Sequence, residues 1–293
     1  MARRGRPRKT PINPVVPAQT QQTSIPTEAF LYFLIPDGKS INADSVNSVK
    51  NAIRSATLKK LNFVVQSGGG DLYSAVKVIR ILRTKFTNII GVVPTKAMSA
   101  ATLMLLGTDE IYMSEESQLG PLDLLMEHPV DGSIISAVDV VDTLNHLSST
   151  TMNNAVEMYE KMRDLPNGEI IGKNHAMKFA LESTIEIIKE ISAQIDPYHR
   201  QKALRKLKIA QWYAYDLLRT GMMKTGANPM RTAITFVYSF PDHNYAIFKE
   251  DARDMLQLII KDSTSYPFWN DVCTETENLL RGAKKPIINY IEK

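Results

Sequence analysis

Residues 61–82 read Leu-Asn-Phe-Val-Val-Gln-Ser-Gly-Gly-Gly-Asp-Leu-Tyr-Ser-Ala-Val-Lys-Val-Ile-Arg-Ile-Leu. The first five form a short apolar run with the length of a buried strand. Three consecutive glycines then break it, and Leu72, Ala75, Val76, Val78, Ile79 and Leu82 follow at helical spacing. This is one strand–turn–helix unit, and the flanking sequence repeats the alternation. Upstream, Ala29 to Ile35 is an apolar run stopped by Pro36-Asp37-Gly38, and Val46, Val49, Ile53 and Ala56 lie on one face of a helix over 42–57. Downstream, Ile89-Ile90-Gly91-Val92-Val93 is a strand, a small-residue helix runs from about Ser99 to Leu106, and Glu110 to Met113 is a strand again. Strands alternating with helices predict βα units around a largely parallel sheet.

Beyond this region the pattern changes. Residues 136–223 are mostly helical, with a break at Pro166-Asn167-Gly168. Thr232 to Tyr238, β-branched and aromatic, is expected as a late strand, and Phe248 to Lys261 as a helix. The expected organisation is a disordered, Pro-rich basic tail over 1–27, one folded domain over 28–262 and a C-terminal extension over 263–293. The tail holds five of the 15 prolines and no aromatic residue, too little apolar surface to offset the entropy of ordering.

Composition excludes several classes. The single cysteine, Cys273, excludes an internal disulfide and a Cys-based zinc cluster. No apolar run reaches the ~20 residues that span a bilayer, and no apolar segment follows the basic N-terminus as in a secretory signal, so a cytoplasmic location is expected. The net charge of +4 becomes −1 once Arg3, Arg4, Arg6, Arg8 and Lys9 are set aside, so the body is near neutral and the tail basic.

Three stretches can carry chemistry. In Gln66-Ser67-Gly68-Gly69-Gly70-Asp71 the glycines permit positive φ and close approach, so that their amides can converge on a developing oxyanion. No Gly-Lys-Ser/Thr follows, which argues against a phosphate loop. In Thr95-Lys96-Ala97-Met98-Ser99-Ala100-Ala101-Thr102 the serine stands where a strand turns into a helix, either as a nucleophile at the helix N-terminus or as its cap. Ser117-Gln118-Leu119-Gly120-Pro121-Leu122-Asp123 reads by itself as a turn. A side chain at Gly69 or Gly70 is expected to cost activity more than stability.

Taken together, Ser-Gly-Gly-Gly-Asp, Lys-Ala-Met-Ser-Ala-Ala-Thr, Asp109 to Met113 and Leu119-Gly120-Pro121-Leu122-Asp123 resemble the serine dehydrogenase proteinase family of the ClpP/crotonase superfamily, to which the signal peptide peptidases also belong. Phe240 to Ile247 and Lys249-Glu250-Asp251-Ala252 are similar to its C-terminal pattern. The resemblance implies a spiral of ββα units with a helical C-terminal half, a Ser99 nucleophile, and oxyanion amides from Gly68, Gly69, Gly70 and Ala100. It also implies a peptide or protein substrate, a homo-oligomer, and neither cofactor nor metal. After Asp123 the family's Pro-Gln pair is replaced by Leu124-Leu125, a departure at the rim of the site.

A serine hydroxyl needs a base. By analogy with ClpP the candidate is His128. By analogy with the signal peptide peptidases it is a helix lysine, Lys173 foremost beside Lys161 and Lys178. His243 can orient a loop near the site or simply end a strand, and His146, His175 and His199 have no metal-ligand spacing. The expected function is peptide-bond hydrolysis through a Ser99 acyl-enzyme. The alternatives are a non-catalytic acyl- or peptide-binding protein of the same fold, and an interaction protein tethered to DNA. The tether would be Arg4-Gly5-Arg6-Pro7-Arg8-Lys9, an AT-hook-like stretch whose Arg4, Arg6 and Arg8 suit the narrow minor groove of A·T-rich DNA.

Overall fold

A computed structural model describes residues 27–164, 173–192, 196–225 and 228–293. The tail with Arg4, Arg6 and Arg8, and the break at 166–168, lie outside the described residues. Strand β1 (Ala29–Leu34) is buried at every position, as expected of an apolar run covered on both faces. Helix α1 (Ala43–Ala52) starts on a reciprocal cap in which the Asn42 side chain accepts from the Ser45 amide and the Ser45 hydroxyl accepts from the Asn42 amide. After β2 (Lys60–Gln66), helix α2 (Leu72–Lys85) is capped by the Asp71 carboxylate at 2.7 Å from the Ser74 amide. Then come β3 (Asn88–Val93), β4 (Lys96–Ala97), α3 (Ala100–Leu106), β5 (Glu110–Met113) and β6 (Gln118–Leu119).

The hairpin β7 (Leu125–Glu127) and β8 (Ile134–Ser136) leads into three long helices, α4 (Ala137–Arg163), α5 (Lys173–Ser192) and α6 (Pro197–Thr220). Helix α7 (Pro229–Tyr238) follows, then a π-helical turn at Asp251–Met255, strand β9 (Ile260–Asp262), helix α8 (Trp269–Leu280) and strand β10 (Ile287–Glu292). The main sheet runs β10-β1-β2-β3-β5-β9, parallel except for β10, which pairs antiparallel with β1. A second, short layer pairs β4 with β6. Helices α1, α2, α3, α6 and α7 bury their apolar faces on one side of the large sheet, and α8 covers Phe30, Tyr32, Val64 and Val92 on the other. The architecture is α/β of the ClpP/crotonase type, with the helical second half expected from the sequence.

Two local expectations fail for physical reasons. Thr232 to Tyr238 is helical, not a strand. Asn228 caps the Arg231 amide, Pro229 occupies the first turn, and Thr232, Ala233, Phe236 and Val237 are buried at helical spacing. Cap and packing override β-propensity here. The expected helix over 248–261 is confined to residues 249–255, π-helical over Asp251–Met255, and gives way to β9. The segment 263–293, expected as an extension, supplies α8 and the edge strand β10 of the main sheet. No helix among the described residues is long and apolar enough to cross a membrane.

Strand β10 is fastened by Glu292, whose carboxylate accepts from the Thr57 amide at 2.8 Å, the Thr57 hydroxyl at 2.8 Å, the Leu58 amide at 3.2 Å and the Tyr290 hydroxyl at 2.6 Å. These donors, Tyr290 foremost, hold its carboxyl down to about 2. A depressed acid stabilises the fold above its unfolded value and loses that contribution as pH falls toward its folded one. Glu292→Gln is therefore expected to lower the melting temperature at neutral pH. Thermal unfolding of both proteins should show the gap closing between about pH 5 and pH 2.

Candidate functional site

The chain leaves β2 through Ser67, which continues the pairing onto the short layer. Its amide donates to Lys96 O at 3.0 Å, and its carbonyl accepts from the Met98 amide at 3.0 Å. This coupling brings the glycine turn onto the junction between β4 and α3, where Ser99 stands. Ser99 has φ 50° and ψ −116°, a backbone conformation that L-residues resist, and it is one of two non-glycine residues with positive φ among those described. It caps nothing with its side chain. Of the two roles the sequence leaves open, the capping role is thus unfilled.

The strained turn is held from several directions. The wholly buried Thr102 hydroxyl donates to Ala97 O at 2.6 Å and accepts from the Gly120 amide at 3.0 Å. Gly120 lies so close that a Cβ there would come within 3.1 Å of the Ser99 nitrogen. Gly69, at φ 106°, is opposite, and a Cβ on it would meet Ser99 Cβ at 3.1 Å and Met98 O at 3.0 Å. The Gly69 amide is already used, donating to Ser67 Oγ at 3.0 Å. Among the described residues the amides of Gly68, Gly70 and Ala100 have no acceptor. Gly70, at φ 146°, packs on the Ile41 backbone, and the Ile41 amide donates to Gly69 O at 2.9 Å.

Among the described residues none of the expected bases makes a hydrogen bond or ion pair with the Ser99 turn. His128 sits in the turn of the β7–β8 hairpin, its Nδ1 3.0 Å from the Asp131 carboxylate. It lines two cavities, one with His199, Lys202 and Lys206 and one with Val130, Ile135 and Val140. Lys173 is exposed at the first position of α5, Lys178 pairs with Glu182, and Lys161 pairs with Glu157.

A different pair, Asp123 and His243, comes together in the fold. Leu119 and Ile247 exchange backbone hydrogen bonds of 2.9 Å in an antiparallel bridge beside Gly120. Asp123 is buried, its Oδ1 and the His243 Nδ1 are both buried without hydrogen-bond partners among the described residues, and the histidine acts on the charge of the carboxylate. Burial pushes the Asp123 carboxyl up from its ordinary value, against the opposing pull of Ser136, His243 and the Val138 amide. The segment carrying His243 is anchored six residues on by Lys249, which is buried and ion-paired with Glu115 and Asp262. Those carboxylates hold the Lys249 ammonium well above its usual range. Both Asp123 and His243 lie in stretches that the sequence marks. Nothing in the sequence joins them across 120 positions; only the folded chain brings the imidazole within reach of the carboxylate's charge.

The sequence pattern of the ClpP-like SDH-type serine proteinases matches residues 20–162. An uncharacterized protein of Methanocaldococcus jannaschii is 31% identical over 113 residues, which cover 38% of this chain and 40% of that protein. The chain thus spans well under half the length of that relative. An alanine mutant of the 1510-N membrane-bound stomatin-specific protease superposes with a TM-score of 0.45 at 11% identity, covering 82% of this chain and 80% of that one. Another alanine mutant of that protease, in complex with a substrate peptide, gives 0.29 at 14% identity over 51% of this chain and 67% of that one.

Two substitutions separate the roles of the glycines. A Cβ at Gly70 would lie 2.3 Å from Ile41 N, so Gly70→Ala is expected to unfold the turn, whereas the sequence reading expects a side chain there to cost activity more than stability. Gly69→Ala meets looser contacts and should leave a folded protein with impaired chemistry, as circular dichroism and single-turnover assays would show. Asp123 gives a second check. With its folded pKa raised, its burial costs stability once pH exceeds the ordinary carboxylate range, and the cost is complete above the raised value. Asp123→Asn should raise the melting temperature at pH 8 by about 2–4 °C, as ~1 kcal/mol does in a chain of this size. The gain should fade in acid.

Proposed function

From a chain whose residues 20–162 belong to the ClpP-like SDH-type serine proteinase family, we propose a peptidase that works through an acyl-enzyme on Ser99. The observation that carries this reading is the strained Ser99 backbone at the β4–α3 junction, its side chain free of any capping bond and its Cβ faced by Gly69, a glycine held at positive φ. In the proposed mechanism the serine oxygen attacks the scissile carbonyl carbon. The carbonyl oxygen, becoming an oxyanion, is met by the Ala100 amide and by the Gly68 or Gly70 amide, each without an internal acceptor. Fixed amides need no reorganisation as charge develops, which is where such donors contribute most.

The base in this reading is His243, with Asp123 behind it. The Nδ1–H of the histidine would donate to the Asp123 carboxylate, leaving Nε2 free to take the Ser99 proton and return it to the leaving amine. The support is chemical complementarity: a buried carboxylate oxygen and a buried ring nitrogen lack partners on neighbouring backbone. In resting enzymes such bonds often tighten only when substrate is bound. The substrate is taken to be a peptide or protein. Copies of the chain are taken to associate through α4 and α5, whose paired helices expose Met152, Val156, Met177, Phe179 and Ile185.

A fluorophosphonate probe tests the reading. The wild-type chain should label, Ser99→Ala should not, and Ser99→Ala should keep its melting temperature because one buried hydroxyl leaves no large cavity. His243→Gln should slow acylation by about four orders of magnitude or more with the fold intact. Labelling that survives in Ser99→Ala would sink the nucleophile. Absence of labelling in folded wild type would favour the acyl- or peptide-binding alternative.

A further inference from the structure

The near-neutral body hides a sharp segregation of charge. No Asp or Glu occurs between Asp71 and Asp109, nor between Asp196 and Asp216. The first interval contains α2, with Lys77, Arg80, Arg83 and Lys85. The second contains most of α6, with Arg200, Lys202, Arg205, Lys206 and Lys208. The two helices are neighbours: the Tyr73 and Tyr213 rings meet edge to face at 6.1 Å, and Arg80 pairs with Asp216 at 3.0 Å. Arg83 is paired with Asp109. Lys77, Lys202, Arg205 and Lys208 are exposed and make no ion pair among the described residues. Interleaved with them stand exposed aromatic rings, Tyr73 at 49%, Trp212 at 58% and Tyr198 at 74%.

Such an array attracts a polyanion, and three features select which one. Lys202, Arg205, Lys208 and Trp212 recur every three or four residues along one solvent-facing stripe of α6, about 15 Å long at 1.5 Å per residue. A linear run of phosphates suits that stripe. The apolar face of α6, with Ala203, Leu207, Ala210, Ala214 and Leu217, is buried in the core, so the helix cannot roll into a bilayer as an interfacial helix must. The same chain also carries a second cationic segment, Arg4-Gly5-Arg6-Pro7-Arg8-Lys9, whose pattern suits a DNA groove.

We propose that the solvent face of α6, with the adjoining edge of α2, docks duplex DNA through its phosphates. Lys202, Arg205 and Lys208 supply the charge, Lys77 extends it, and Trp212 packs against the sugar-phosphate backbone. Interactions of this kind position a protein without reading bases, so the face binds all sequences alike and any preference for A·T-rich duplex belongs to the tail. The role is independent of the peptidase reading, since none of these residues touches Ser99, Asp123 or His243.

Fluorescence anisotropy on the full chain tests it, with A·T-rich and G·C-rich duplexes titrated between about 50 and 200 mM salt. Lys202→Gln/Arg205→Gln/Lys208→Gln should weaken both duplexes at least tenfold at the low-salt end. It should also reduce the log–log salt slope by about 2–3, at roughly 0.9 for each phosphate that is no longer neutralised. Lys77→Glu, on the other helix, should weaken both several-fold and serves as the second variant should the triple one fold poorly. Arg4→Ala/Arg6→Ala/Arg8→Ala should instead erase the preference between duplexes. The proposal is overturned if the folded triple variant binds like wild type, or if wild type binds neither duplex at low salt. It is equally overturned if vesicles containing about a third phosphatidylserine capture the chain while the duplexes do not.

Discussion

A serine held at positive φ costs on the order of 1–3 kcal/mol, and it persists only where the surrounding structure over-determines it. At Ser99 that determination comes from the short β4–β6 layer. Ser67 extends β2 onto this layer, and Met98 and Lys96 are pinned to Ser67 from one side. Thr102 and Gly120 close the other side through one buried hydroxyl that both donates and accepts. The elbow and the glycine turn are therefore two ends of a single hydrogen-bonded unit. This is why Gly69 comes within van der Waals range of Ser99, although thirty positions separate them in sequence.

The second constraint is electrostatic. Burying Asp123 beside Leu122 and Met126 raises the cost of its charge, and a structure optimised only for stability would place an uncharged residue there. A carboxylate kept at such a position invites a cationic or hydrogen-bonding partner, and Ser136, His243 and the Val138 amide are the groups that act on it. The segment that carries it has a turn at 242–245 and exposed side chains at Tyr245 and Phe248, so it has little core of its own. What fixes it is the Leu119–Ile247 bridge and the buried Lys249, clamped between Glu115 after β5 and Asp262 at the end of β9. The clamp ties the segment to two strands of the main sheet, making its position a property of the sheet.

Much of this is legible in the sequence, and the limits have physical causes. Parallel strands buried on both faces announce themselves as apolar runs, so β1, β2, β3 and β5 lie where those runs occur. The three glycines and the serine at the strand–helix junction mark backbone demands that only certain residues tolerate, and positive φ is found there at Gly69, Gly70 and Ser99. Helix α7 reads as a strand because its β-branched and aromatic residues carry strand propensity, while the cap at Asn228 that decides the matter lies upstream of the run. Strand β10 leaves no pattern because it alternates weakly and takes its register from β1, more than 250 positions away. The proposed base is hidden for the same kind of reason. Proximity to Ser99 along the chain favours His128, whereas the structure commits that histidine to Asp131 in a hairpin turn. Side-chain pairs made by long-range bridges leave no local signature.

The division of the chain then acquires a meaning. The family match ends at residue 162 and contains the glycine turn, Ser99 and Asp123, but not His243. If the base is His243, the nucleophile and oxyanion donors are supplied by the first half of the chain, and the proton-handling group by a segment anchored through the second. The helices between them then have two duties: α6 and α7 bury the apolar side of the sheet, and the α7 backbone receives the Leu122 amide at Phe236 O, one residue before Asp123. A change in how α7 packs would thus reach the carboxylate through a single peptide unit. The basic stripe lies on the solvent side of α6, the helix against which α7 packs, so an anion bound there sits one helix layer from the element that positions Asp123.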